Sequence, residues 1–141
     1  ASPFEAYLPG VIWAFRFSDG QLVWKAQTPM PVNSWPLLAR LPGRGSLSVV
    51  MPIAMQGGNP GQVMILDAET GAVQSSWDGP RGYGAVLGGG DVAGSATRVA
   101  LGLRPGCGPN PWSAPSVDAA GAIYVGFQDS RLHMYHGANS D

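Results

Sequence analysis

Glycine and proline interrupt this chain so often that no long helix can form. Of its 141 residues, 21 are Gly and 13 are Pro, and the longest stretch free of both, residues 127–136, has ten residues. A typical helix needs ~11–12 residues, and a Gly or Pro inside one costs about 1–3 kcal/mol. The segments between these interruptions are short, β-branched and aromatic, and they read as strands. Residues 11–17 (Val-Ile-Trp-Ala-Phe-Arg-Phe) turn at Ser18-Asp19-Gly20 into 21–24. Residues 62–66 lead through Asp67-Ala-Glu-Thr-Gly71 into 72–77, and residues 122–127 turn at 128–130 into 132–136. Two further strands are expected at 46–51 and 97–103. The loops joining these runs are too short for parallel crossovers, so the pairs are expected to be antiparallel hairpins. The predicted fold class is all-β.

Charge is sparse. Lys, Arg, Asp and Glu make up 12% of the chain, against ~25% in an ordinary soluble domain, and the net charge is −1. Such a chain has no field to attract nucleic acid, and its eight basic residues form no stripe. A surface poor in charge suggests cover by partners, although a GC-rich genome's codon bias would have the same effect. No apolar run of ~20 residues exists, so the chain has no transmembrane helix of its own. No signal-peptide pattern opens it. The single cysteine, Cys107, excludes an internal disulfide and reads as a loop thiol. Glycine clusters at 82–84 and 88–90 do not complete a dinucleotide-binding pattern, and no helix is expected to follow them.

Self-similarity is the main signal. The hairpin from Phe17 through Gly20 to Trp24 returns as Leu66-Asp-Ala-Glu-Thr-Gly71 followed by Trp77, with the turn glycines 51 positions apart. Leu66-Asp67-Ala-Glu-Thr70-Gly71 with Trp77 resembles the PQQ-like repeat of quinoprotein-type β-propellers. Trp112-Ser-Ala-Pro115-Ser-Val-Asp-Ala-Ala-Gly121-Ala-Ile-Tyr124-Val-Gly126, followed by Asp129-Ser-Arg-Leu132, is similar to the first half of that repeat. The likeness covers about half of the chain and identifies its repeat signature as Gly20, Trp24, Asp67, Thr70, Gly71, Trp77, Trp112, Pro115, Gly121, Tyr124, Gly126 and Asp129. In such a repeat the glycines take up positive φ, the acidic residues hold turn amides, and the tryptophans pack between sheets.

The resemblance implies one partial propeller domain over residues 1–141. It would comprise two to three antiparallel blades of an incomplete ring, at about 1–28, 35–78 and 112–141. Closed propellers of this kind have roughly six to eight blades, so open sheet faces are expected to need cover. Three explanations for that cover are open: a longer parent protein, which the chain's stop inside a repeat turn favours, docking on a larger complex, which the sparse charge favours, and completion of the ring by copies of the chain itself. The expected function is a non-catalytic interaction or scaffold module in a larger, membrane-associated assembly, its partners being other proteins or the rest of a longer chain. The family also implies a periplasmic, lumenal or extracellular setting.

Some relatives of this repeat bind pyrroloquinoline quinone with calcium, and a fragment of such a dehydrogenase is the alternative. The Cys-Cys pair of its alcohol-oxidising members is absent here, and Asp67, Asp118 and Asp129 read as turn residues, so no cofactor is expected. A third reading is a sugar or small-ligand sensor using Trp35 or Trp112. His133 and His136, three apart on one strand, are expected on opposite sheet faces with no carboxylate beside either. No nucleophile–base pair or metal cage can be assembled from these residues.

Overall fold

The structure, a computed structural model, describes residues 9–32, 34–54, 61–80, 96–103, 111–127, 129 and 131–137. Nine strands form three antiparallel sheets among these residues. The first sheet pairs β1 (Gly10–Phe15) with β2 (Leu22–Thr28). The second runs in the order β3 (Leu37–Ala39), β4 (Ser48–Ile53), β5 (Gln62–Asp67) and β6 (Val73–Asp78). The third joins β7 (Ser116–Val117), β8 (Ala122–Phe127) and β9 (Arg131–His136). Every pairing is between strands adjacent in sequence, as the short loops require. The sheets do not close into a ring.

The middle sheet holds the core because both of its faces are covered. β4 is buried along its whole length and the interior of β5 likewise, an apolar run without polar alternation. Strand geometry sends alternate side chains to opposite faces. Val49, Met51, Ile53, Met64 and Leu66 therefore pack with Ile12 of the first sheet, flanked by Trp24, Ala26, Met30 and Val32. Val50, Val63 and Ile65 pack instead with Ile123, Val125 and Phe127 of the third, together with Leu41 and Trp112. Burying each Val or Ile completely stabilises the fold by ~1.5–3 kcal/mol.

A proline sits inside β4. β3 stops opposite Ser48–Val50, so it does not reach Pro52. The Ala54 N–H donates to the Pro31 carbonyl, outside the sheet. Pro52, two residues earlier, turns its nitrogen to that same side, where no strand pairs among the described residues. No ladder bond is lost.

The hairpin turns of the first two sheets share one geometry. Arg16 N–H donates to the Gln21 carbonyl and Gly20 N–H to the Arg16 carbonyl, both at 2.8 Å. Asp67 N–H to Ala72 and Gly71 N–H to Asp67 repeat the pattern at 2.8 Å. Gly20 and Gly71 have φ of 69° and 73°, and a register shift precedes each turn, at Ala14/Phe15 and at Ile65/Leu66.

Residues 97–103 differ from expectation. Residues 96–100 form a single helical turn, α1, instead of a strand. Gly102, at φ 70°, ends it: Leu103 N–H donates to the Arg98 carbonyl and Gly102 N–H to Val99, the paired bonds of a Schellman cap. Cys107 and the glycine clusters at 82–84 and 88–90 lie outside the described residues.

The two turn glycines have unequal surroundings, which generates a graded prediction. A Cβ at Gly20 would meet nothing within 4 Å, whereas one at Gly71 would lie 2.6 Å from Trp24 Cε3. Gly20→Ala is expected to cost about 1–2 kcal/mol through its left-handed backbone alone. Gly71→Ala should cost a further ~1–3 kcal/mol from the overpacked indole. Urea denaturation of the two variants measures the difference.

Candidate interaction surfaces and the seams between sheets

Trp24 forms the seam between the first and second sheets. Its ring lies against Gly71, and its Nε1–H donates to the Ala68 carbonyl at 2.9 Å. The turn beneath is held by Asp67, whose Oδ1 accepts from the Glu69 and Thr70 amides and from Thr70 Oγ1 at 2.8–3.0 Å. The Ser46 hydroxyl and Gln74 Nε2 donate to its other oxygen. Gly71, Asp67, Thr70 and Trp24 are thus brought together, while Gly20 stands apart at an exposed turn.

The second seam is aromatic. Trp112 is 3% exposed, fixed beside β8 by an isolated bridge to Phe127 and slotted against Gly61 and Gly79 of the middle sheet. Its ring meets Phe127 at 4.3 Å, His133 at 6.0 Å and Tyr135 at 6.5 Å between centroids. Trp77 of β6 stacks on Tyr135 at 5.3 Å and 28°. Burial, with a smaller contribution from the Asp129 charge, raises the Tyr135 pKa above the ordinary tyrosine value. A buried Trp112 cannot present a stacking platform to a sugar; Trp35, 78% exposed, remains available.

Asp129 lies at this seam, and it corrects the reading of the histidines. Its Oδ2 is 2.9 Å from His133 Nε2, so His133 does have a carboxylate beside it. The Asp129 side chain is fully buried, and its Oδ1 accepts the Arg131 amide, closing the β8–β9 turn. His136 pairs with Ala122 on the opposite face of the sheet from His133, as the strand period requires.

Asp118 holds the β7–β8 turn. Its Oδ1 accepts from the Ala120 and Ala122 amides at 2.9 Å, and its Oδ2 from the Tyr124 hydroxyl at 3.0 Å. The Asp118 carboxylate raises the Tyr124 pKa in turn. Gly121, at φ 85°, completes the turn against Pro42. Gly126 exchanges bonds with Ser113: its N–H donates to Ser113 Oγ and its carbonyl accepts the Ser113 N–H, both at 2.9 Å. Pro115 is buried just before β7.

Arg44, which the repeat signature does not include, bridges the second seam. It donates to Gln74 Oε1 at 2.9 Å, Ser75 Oγ at 2.8 Å and the Gly137 carbonyl at 3.2 Å. Partial burial lowers its pKa below the ordinary arginine value. Its Pro-Gly-Arg-Gly setting reads only as a loop, so the sequence carries no signal for this role.

Open apolar surface lies on the outward faces of the flanking sheets. On β1, Trp13 and Phe15 are 51% and 59% exposed and stack nearly parallel, 8° apart with centroids at 6.3 Å. Lys25 of β2 places Nζ 5.6 Å from the Trp13 ring, within cation–π range. On β9, Leu132 and Met134 are 70% and 52% exposed. Among the described residues, no group of three or more His, Cys, Asp or Glu could hold a metal ion, and no helix is long and apolar enough to cross a membrane. No protein-family model matches the chain, and no curated protein matches it.

The turn carboxylates set the response to acid. Hydrogen bonds hold Asp67 below its ordinary pKa, that from Ser46 foremost, and the Ala122 amide leads in doing the same for Asp118. With folded values below unfolded ones, the stability they contribute is complete above the unfolded carboxylate pKa. It is lost as pH falls through the folded values. The wild-type melting temperature should therefore drop on acidification through and below the ordinary Asp range. The Asp67→Asn/Asp118→Asn variant should melt lower at neutral pH and lose less on acidification, as differential scanning calorimetry across pH would record.

Proposed function

We propose that this chain is a non-catalytic interaction module built from PQQ-like propeller-type sheet units, working as an accessory part of a larger assembly. The observation that carries it is the contrast between buried and open faces at matching register. Phe15 pairs with Leu22 as Leu66 pairs with Val73, each just before a turn of the same hydrogen-bond pattern. Trp13 and Phe15 therefore hold the places of Met64 and Leu66. Those two are buried in the middle sheet, yet Trp13 and Phe15 stand open.

The third sheet corresponds in the same way. Tyr135 pairs with Ile123 as Leu66 pairs with Val49, and Gly137 N–H donates to the Gly121 carbonyl as Ala68 N–H does to Leu47. Met134 and Leu132 thus hold the places of Ile65 and Val63, both fully buried. The carbonyl that takes the Trp24 indole in one seam is that of Ala68; its counterpart, Gly137, takes Arg44 in the other. These correspondences support stacked units of one kind, and apolar faces left open at both ends support docking as the role.

The tryptophans do not correspond. Trp24 pairs with Ala14, two places before the β1 turn pair, so its counterpart on β6 is Ser75 and that of Trp77 is Ala26. The two hairpins share a turn and a facing side, not a Trp position. A periplasmic, lumenal or extracellular setting follows from the family resemblance alone.

The alternative, a piece of a quinone-dependent dehydrogenase, lacks a ligand set among the described residues. Asp67, Asp118 and Asp129 stand in separate turns, each engaged by backbone amides. Titration with pyrroloquinoline quinone and calcium, followed by tryptophan fluorescence and by reduction of an electron-accepting dye, separates the two. We expect no saturable quenching and no dye reduction; turnover would replace the module reading with the dehydrogenase one. Fluorescence that responds to an oligosaccharide, and ceases to in Trp35→Ala, would instead favour the sugar-sensing reading.

A further inference from the structure

The two open faces are the opposite halves of one kind of contact. Each seam inside the chain presses a sheet's forward face onto the next sheet's rear face. The rear face of the middle sheet, with Met64 and Leu66, is covered by the forward face of the first. Its forward face, with Val50, Val63 and Ile65, is covered by the rear face of the third, with Ile123 and Val125. By register, the open Trp13–Phe15 face is a rear face and the open Leu132–Met134 face is a forward one. Two rear faces, or two forward faces, would not reproduce either seam.

Chemistry agrees with register. The rear face offers stacked aromatic rings and the Lys25 ammonium. The forward face offers an aliphatic Leu132, the Met134 thioether and Tyr124, whose hydroxyl is bonded to the exposed Asp118 carboxylate. Thioether against aromatic ring is a favourable contact, and Lys25 and Asp118 are opposite in charge.

We infer that a second copy of this chain docks head to tail, its Leu132–Met134 face seated on the Trp13–Phe15 face of the first. This rests on the module reading above and names its partner. The contact is heterologous: it joins different surfaces of the two copies, so it either closes a ring or propagates.

Sedimentation velocity over a wide concentration range tests it, using the full chain and two surface variants, Trp13→Glu and Met134→Glu. Both side chains are about half exposed, so the fold is expected to survive, as circular dichroism would verify. Wild type should assemble beyond the monomer as concentration rises, and each variant alone should remain monomeric. An equimolar mixture should form dimers and nothing larger. In that mixture the intact rear face of Met134→Glu meets the intact forward face of Trp13→Glu, and no other pairing is left. A monomeric wild type, assembly unaffected by either change, or a mixture that stays monomeric would each overturn the proposal. A monomeric wild type that also ignores quinone and calcium would still be a module, one with a different partner; dye reduction is the separate result that would remove the module reading.

Discussion

Two-sided burial of β4 and β5 is the constraint from which the rest of the fold follows. A strand pair that is apolar on both faces cannot rest on solvent, so it needs a layer above and a layer below. The first sheet supplies one layer and the third the other. Neither flanking sheet has two such faces. In β1, β2 and β9 burial alternates along the strand, one side turned to the core and the other to water. Stability is therefore concentrated in the middle of the stack and thins toward its ends.

The two seams solve the same problem by different means. At the first, a single indole covers a turn glycine and satisfies a carbonyl. At the second, a guanidinium reaches the corresponding carbonyl while a cluster of Trp77, Trp112, Phe127 and Tyr135 fills the space. The first relies on close approach to a residue without a side chain. The second relies on a partly desolvated charge, whose hydrogen bonds must offset the cost of leaving water. Substitutions at Gly71 and at Arg44 thus act on equivalent places through unrelated physics.

Much of this was legible in the residues. β-Branched and aromatic runs cut by Gly, Pro and Asp located all but the shortest strands, and hairpin-length loops set them antiparallel. Turn carboxylates behaved as expected, because an Asp two or three residues before a free amide needs no tertiary help. What escaped was non-local or short. Residues 97–103 carry β-branched side chains at strand-like spacing, and Gly102, expected inside a strand there, is instead the cap of a helical turn. His133 meets Asp129 across a turn, a proximity that strand alternation alone does not reveal. Trp112 packs between sheets as expected, but the slot that Gly61 and Gly79 form for it, distant in sequence, had no local sign. Arg44 had no local signature. Its partners are 30, 31 and 93 positions away.

Pro52 has a consequence for the place where β4 outruns its neighbour. Beyond the end of β3 the flank of β4 is closed off from water: Pro52 and Ala54 are almost completely buried, and the Ala54 N–H is taken by the Pro31 carbonyl. An ordinary residue at 52 would bring an amide into that enclosed space with no described strand alongside to accept it, at the cost of a stranded donor. A ring nitrogen brings none, so the innermost strand can run past the end of its partner without an unmet amide in the interior.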